Sequence, residues 1–201
     1  MKIHKELQQN SPEWFEVRKL KLTASHAQAL GTAGKGLDTL VTELMADYYS
    51  TAEKEHFTSK DTERGIELEA VAREVYELEK DVKIEQVGFI EESEYVGFSP
   101  DGLVAKDGLV EFKCLNDVGH YRIIRDGEKE IDTKYIWQAQ MQLLISKRKW
   151  CDLIFYCPNF EKSMIIFRLT PDKEKHETLK VGIEKGTLLI KEQLKQNDKK
   201  I

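Results

Sequence analysis

Three residues able to do chemistry stand close together in mid-chain: Asp101 in the turn Ser99-Pro100-Asp101-Gly102, and Glu111 and Lys113 in the run Glu111-Phe112-Lys113. Side chains along a strand alternate between faces, so Glu111 and Lys113 share one face and Phe112 takes the other. A hairpin of the Asp-Gly type at Lys106-Asp107-Gly108 would fold the chain back and carry Asp101 beside Glu111. Two carboxylates and one ammonium would then converge, a set suited to phosphodiester hydrolysis. Carboxylates are the hard oxygen ligands that Mg²⁺ accepts beside its waters. The cation would lower the pKa of a water and neutralise phosphate charge. Lys113 would position that water or meet the developing negative charge. The backbone carbonyl of Phe112 lies near the same end and could also reach a metal. The same residues would equally make a solvated hairpin with a surface ion pair. Leu109, Val110, Phe112 and Leu115 tip the balance, because they describe a buried central strand on which Glu and Lys require partners.

The surrounding elements must position this set. Ser11-Pro12-Glu13 reads as a helix start, with Ser11 as cap and Pro12 in the first turn, opening a short helix that carries Trp14, Val17 and Arg18. A second helix is expected after Thr23-Ala24-Ser25, ending at Gly31, Gly34 and Gly36. A third is expected over 38–49, followed by a polar loop at 50–61. A fourth, over 61–80, has Leu68, Ala72, Val75 and Leu78 as its apolar stripe, with Glu69 beside it. Strand chemistry follows over 82–115, then helices over 117–125 and 133–146, strands over 151–157 and 163–169, and a final helix over 172–196. The order reads as α/β (α+β), with one central mixed sheet flanked by helices.

Composition narrows the field. The net charge of -5 excludes a protein that coats nucleic acid by bulk charge. The charge is uneven: residues 37–101 hold 18 acidic against 6 basic side chains, and both flanking segments are net basic. That acidity is either a solvated helical surface or, in small part, a gathering of carboxylates around a metal. No apolar run approaches the length of a membrane span, and no secretory leader is visible. The cysteines, Cys114, Cys151 and Cys157, fit no zinc spacing and read as buried free thiols of a reducing cytoplasm.

Four ordered motifs carry a resemblance. Trp14-Phe15-Glu16-Val17-Arg18 with Leu22-Thr23-Ala24-Ser25 comes first, then Arg64-Gly65-Ile66-Glu67-Leu68-Glu69. The paired motif Ser99-Pro100-Asp101-Gly102 and Glu111-Phe112-Lys113 is third, and Gln138-Ala139-Gln140-Met141-Gln142 is last. The third resembles the PD-(D/E)xK nuclease pattern. The whole set, over about residues 12–160, resembles the phage lambda exonuclease family of viral recombination exonucleases.

That resemblance implies a restriction-endonuclease-like core in a single domain over 1–201, with a helical N-terminal portion at about 11–80 and a sheet core at about 82–170. It implies a Mg²⁺-dependent enzyme, with Mn²⁺ as a substitute and one or two ions per site. The enzyme would degrade one strand of linear duplex DNA from a 5′-phosphorylated end and leave 3′ single strands for a single-strand annealing protein. It also implies a ring-shaped homotrimer in the cytoplasm of a bacterial host, of phage or prophage origin. Asp101, Glu111, Glu69 and the Phe112 carbonyl would hold metal, and Lys113 would assist the water. Gln140 would line the site, and Arg18 and Ser25 would hold the 5′-phosphate. A guanidinium forks onto phosphate oxygens, and Ser25 near a helix start adds a hydroxyl. Lys35, in the glycine-rich stretch, would either contact DNA or sit on a flexible surface loop.

The sequence departs from the family at two places. Lys60-Asp61-Thr62-Glu63 offers no apolar wedge to separate strands, and Leu115 stands where relatives carry proline. An endonuclease or resolvase with the same core, and an inactive DNA-binding module, remain as alternatives. An iron–sulfur exonuclease is disfavoured, because such a cluster normally takes four cysteines and the sequence has three.

Overall fold

A computed structural model describes residues 1–52 and 60–197, with the side chains of 60–63 outside that description. Most of the expected 50–61 loop, and the side chains at the missing wedge, therefore lie outside the described residues.

The first helix, α1 (Pro12–Arg18), begins as its sequence dictates: Ser11 Oγ accepts from the Trp14 N–H at 3.2 Å, and Pro12 occupies a position whose N–H would have no partner anyway. A short strand β2 (Leu22–Thr23), a 3-10 turn (Ala24–His26) and helix α2 (Ala27–Thr32) follow. Here the expectation of a glycine-rich loop over 31–36 fails. Ala33, left-handed at φ 46°, closes α2, and helix α3 (Lys35–Tyr49) starts two residues later. Gly31 is there for packing: a Cβ would lie 2.4 Å from the Trp137 ring.

The strands form two sheets rather than the single central sheet expected. In the first, β1 (Lys2–His4), β4 (Phe89–Ser93), β5 (Val96–Phe98) and β2 lie in the order β1-β4-β5-β2. In the second, β3 (Ile84–Glu85), β6 (Gly102–Val104), β7 (Gly108–Cys114), β8 (Trp150–Tyr156) and β9 (Met164–Leu169) lie in the order β3-β6-β7-β8-β9. The link Ser99-Pro100-Asp101 carries the chain from β5 in one sheet to β6 in the other. Strands β7 and β8 are parallel, so the chain must cross over between them, and it does so through α5 (Asp117–Asp126) and α6 (Thr133–Ser146). The fold class is mixed α/β, with both sheets flanked by helices.

The β6–β7 hairpin pairs Val104 with Gly108, leaving a three-residue turn in which Ala105 takes the left-handed conformation at φ 46°. Gly108, expected in the turn, instead opens the strand under Trp150, whose ring would lie 2.2 Å from a Cβ.

Sheet alternation sorts the core. One face of β7 and β8 turns Val110, Phe112, Ile154 and Tyr156 against helix α4 (Lys60–Lys80), which packs Ala72 and Tyr76 on it. The opposite face turns Leu153 and Phe155 toward α5 and α6. Leu78, assigned to the α4 stripe by periodicity, is 83% exposed; Tyr76 takes the inward place. The last helix, α7 (Lys173–Asn197), buries Leu179, Gly182, Gly186 and Ile190. Cys151 and Cys157 are buried, Cys114 is half-buried, and all three are free thiols. Among the described residues no helix is long and apolar enough to cross a membrane.

Candidate active site

The register of the hairpin explains the first cluster. Gly102 pairs with Val110, so the preceding residue, Asp101, comes alongside Glu111. Beyond Val110, strand β7 has no β6 partner, and the Phe112 N–H donates instead to Asp101 Oδ2 at 2.7 Å. The N–H and C=O of one strand residue open toward the same side, so the Phe112 carbonyl faces the Asp101 edge. The Phe112 ring points away and meets Tyr76 edge-on, with centroids 6.2 Å apart.

Glu111 is 1% exposed and fully engaged. Its Oε1 accepts from Lys113 Nζ at 2.7 Å and Gln138 Nε2 at 2.5 Å, and its Oε2 accepts from Gln142 Nε2 at 2.7 Å. Lys113 Nζ also sits 4.8 Å from the Tyr135 ring centre. Glu69, on α4, pairs with Arg73 one turn on, at 2.6 Å.

The electrostatics show crowding. Burial, followed by the charges of Glu111 and Glu69, raises the Asp101 carboxyl well above its ordinary range. Burial also raises Glu69, Arg73 opposes that, and the charge of Glu111 adds to it. Burial alone would lower the pKa of Lys113, but Glu111 and Asp101 outweigh it and hold the ammonium charged above the usual lysine value. Toward these carboxylates Lys113 acts as a cation and donor. Three carboxylates share the region, and Lys113 and Arg73 oppose their charge.

Asp101, Glu111, Glu69 and the Phe112 carbonyl are all hard oxygen donors, and their mutual repulsion suits a divalent cation. Among the described residues no three His, Cys, Asp or Glu side chains close on a common metal position. The carboxylates turn toward Lys113, Arg73 and their amide donors instead. The donor set fits a cation in chemistry, and Glu69 would have to leave Arg73 to complete it.

Gln140 is elsewhere, contrary to the expectation that it lines the site. Its Nε2 donates to the Thr170 carbonyl and its Oε1 accepts from the Asp172 N–H, each at 2.9 Å, tying α6 to the start of α7. The reason is helical phase. Residues 138 and 142 are four apart and share a face, whereas residue 140 lies about 200° round from each. Gln138 and Gln142 are therefore the glutamines that hold Glu111.

A second cluster lies where β2 and β5 end. Arg18, from the last turn of α1, places its guanidinium 4.1 Å from the Trp14 ring centre, and its Nη1 donates to Ser99 Oγ at 3.4 Å. The Trp14 indole N–H holds Ser99 Oγ at 2.8 Å and also reaches the Gly88 carbonyl at 3.1 Å. Burial lowers the Arg18 pKa to about 10. Ser25 is exposed, and its Oγ lies 2.9 Å from Thr23 Oγ1. Arg18, Thr23 and His26 line a cleft of about 960 Å³ that runs to α3. Lys35 joins neither cluster; it is the exposed first residue of α3. Sequence reasoning gave no role to Ser99 or His26, although Ser99 opens the motif it singled out and His26 follows Ser25. Ser99 joins the clusters, since it bonds Arg18 two residues before Asp101.

A family model described as the YqaJ-like viral recombinase domain matches residues 13–149. Solved structures agree over a wider span. The chain is 27% identical to LHK-Exo in complex with dAMP, with a TM-score of 0.84, covering 94% of this chain and 97% of that one. It is also 27% identical to an alkaline exonuclease (LHK-Exo) from Laribacter hongkongensis, with a TM-score of 0.79 over 95% and 100% of the two chains. A phage related exonuclease from Haemophilus somnus 129PT shares the fold, at 15% identity and a TM-score of 0.71 over 90% and 98%. No curated protein matches.

Proposed function

This chain belongs to the YqaJ-like viral recombinase family, and on that footing we propose that it is a metal-dependent deoxyribonuclease of the PD-(D/E)xK type. In this reading it degrades one strand of linear duplex DNA from a 5′-phosphorylated end. The observation that carries the reading is the meeting of Asp101, Glu111 and Lys113 at the open end of the β6–β7 ladder. The likeness to an alkaline exonuclease supports it.

Asp101, Glu111, Glu69 and the Phe112 carbonyl would hold Mg²⁺ or Mn²⁺, as one or two ions. When bound, the cation supplies Lewis acidity at the scissile phosphate and a water of lowered pKa. Lys113, held cationic, stabilises charge that develops on the phosphate oxygens and orients the attacking water. Gln138 and Gln142 fix the carboxylate of Glu111, so that little reorganisation remains at the moment of reaction. Arg18, Ser99 and Ser25 hold the terminal 5′-phosphate, and the short link Ser99-Pro100-Asp101 sets its distance from the carboxylates.

The reading extends to a 3′ single-stranded product passed to a strand-annealing partner, and to a ring-shaped homotrimer around the duplex. Both of these rest on family resemblance.

The test is a time course on linear duplex with Mg²⁺. Release of mononucleotides that is slowed by removal of the 5′-phosphate, stops in EDTA and is lost in Lys113→Ala is the expected result. Cutting of covalently closed circles would turn the reading to an endonuclease. Products unchanged by EDTA, Lys113→Ala and dephosphorylation would overturn the mechanism.

A further inference from the structure

His26 enters the Arg18 cleft one residue after Ser25, and the reading above gives it no role. Its Nδ1 lies 3.2 Å from Thr23 Oγ1, and that oxygen lies 2.9 Å from Ser25 Oγ. Thr23 is buried and owns a single hydroxyl proton, so it donates to one neighbour and accepts from the other. The chain Ser25–Thr23–His26 is therefore directional. Either Ser25 O–H faces outward as a donor and His26 Nε2 is a bare lone pair, or Ser25 donates inward and His26 carries its proton at Nε2. Among the described residues the hydrogen bond of the ring is the one at Nδ1, which leaves Nε2 for the cleft.

The charge environment decides what such a donor could meet. Arg18 contacts the Ser99 hydroxyl and the rings of Trp14 and Phe89, and forms no ion pair with a carboxylate among the described residues. A mostly buried guanidinium without a counter-ion suits an anionic ligand. Its charge reaches His26: burial, and then Arg18, push the imidazole pKa down to about 4, so the ring is neutral near neutral pH and has one N–H to give. An anion on Arg18 selects the tautomer that turns a proton rather than a lone pair toward it.

We propose that His26 is a specificity-determining binding residue, donating from Nε2–H to an oxygen of the terminal phosphate held by Arg18, in place of the Ser25 hydroxyl, which then donates inward to Thr23 and through it holds the tautomer at His26 Nδ1. The inference rests on the reading of Arg18 as the terminal-phosphate contact. Arg18 supplies charge, and His26 supplies a directed neutral donor that recognises the phosphate oxygens. A 5′-hydroxyl end would offer it nothing.

The experiment measures kcat and KM on linear duplexes bearing a 5′-phosphate or a 5′-hydroxyl. The variants are Arg18→Ala, His26→Asn and His26→Gln. The Gln amide nitrogen reaches where Nε2 stands, whereas the Asn amide reaches only the Nδ1 position. His26→Asn should raise KM for the phosphorylated duplex about tenfold, the scale of one hydrogen bond to a charged group, and leave the 5′-hydroxyl duplex unchanged. His26→Gln should keep most of the preference. A preference surviving intact in His26→Asn but lost in Arg18→Ala overturns the role of His26 alone. No preference in the wild-type protein overturns the phosphate pocket itself. Imidazole ¹⁵N NMR of the wild-type protein in EDTA keeps the proposal open to refutation even if the variants fold poorly. The His26 Nε2 resonance must shift with a short phosphorylated duplex and not with its hydroxyl counterpart, and an unmoved resonance refutes the contact.

Discussion

Two buried carboxylates on neighbouring strands invite comparison. Glu111 on β7 and Asp152 on β8 are each 1% exposed, and strand alternation sends them to opposite faces of the same sheet. Asp152 is answered in full. Arg168 grips both of its oxygens, at 2.7 and 2.8 Å, and the Tyr76 hydroxyl donates at 2.7 Å. The guanidinium of Arg168 stacks 4.0 Å from the Trp150 ring centre and is the ion-pair partner of the group. Burial and Asp152 together push the Tyr76 phenol above its usual range, so it stays a donor. This is a closed network that fastens α4 to strands β8 and β9 of the sheet. Glu111 has as many donors but keeps company with Asp101 and Glu69, with Lys113 and Arg73 opposing their charge. Matched charge marks a structural pair; excess like charge, held together by the fold, marks a place where a cation or a reaction is wanted.

The comparison breaks most sharply under isosteric substitution. Glu111→Gln keeps the volume and an acceptor for Gln138 or Gln142 and removes one of the crowded charges. Exonuclease activity should fall by about 10⁴-fold or more, near 5.5 kcal/mol of barrier. The urea midpoint should stay or rise. A variant that keeps activity within about tenfold would show that Glu111 is structural like its neighbour.

Asp152→Asn is the mirror experiment. It leaves Tyr76 and Arg168 facing a neutral amide, and the cost should be about 3 kcal/mol of stability, read from urea unfolding. Activity per folded molecule should stay within about twofold. Loss of activity with unchanged stability would mean that Asp152 acts on the site through α4, which carries Glu69.

Much of this was legible beforehand, and the rest was hidden for physical reasons. Helix α6 falls on the expected residues, 133–146, because its N-cap and its apolar pattern are local. The alternation that puts Glu111 and Lys113 on one face is equally local. Strands β1 and β2 are three and two residues long and gain their pairing only from β4 and β5, far along the chain, so no local pattern announces the second sheet. The three alternating glutamines of α6 could not be phased without knowing which face meets β7. Ser99 and His26 are single polar residues whose meaning depends on Trp14, Arg18 and Thr23 closing around them. Tyr76 and Leu78 differ by two places on α4, and only the sheet beneath decides which is core.

The smallest expected effect concerns pH, and it tests whether the crowding is real. The folded pKa of Asp101 is raised, first by burial and then by Glu111 and Glu69. Between the ordinary carboxylate range and that raised value, the folded protein holds a proton that the unfolded chain has already released. Stability from this group therefore falls as pH rises through the window, and above it the penalty stays constant. Asp101→Asn removes the titration, keeps an acceptor for the Phe112 N–H and cannot repel Glu111. In EDTA the variant should match the wild-type protein near pH 4. It should become the more stable of the two, by an amount on the order of 1 kcal/mol, as pH approaches 8. Thermal melts of both proteins across that range measure the difference directly. Parallel melting curves would mean that Asp101 is as well compensated as Asp152, and the contrast between the two faces would then rest on geometry alone.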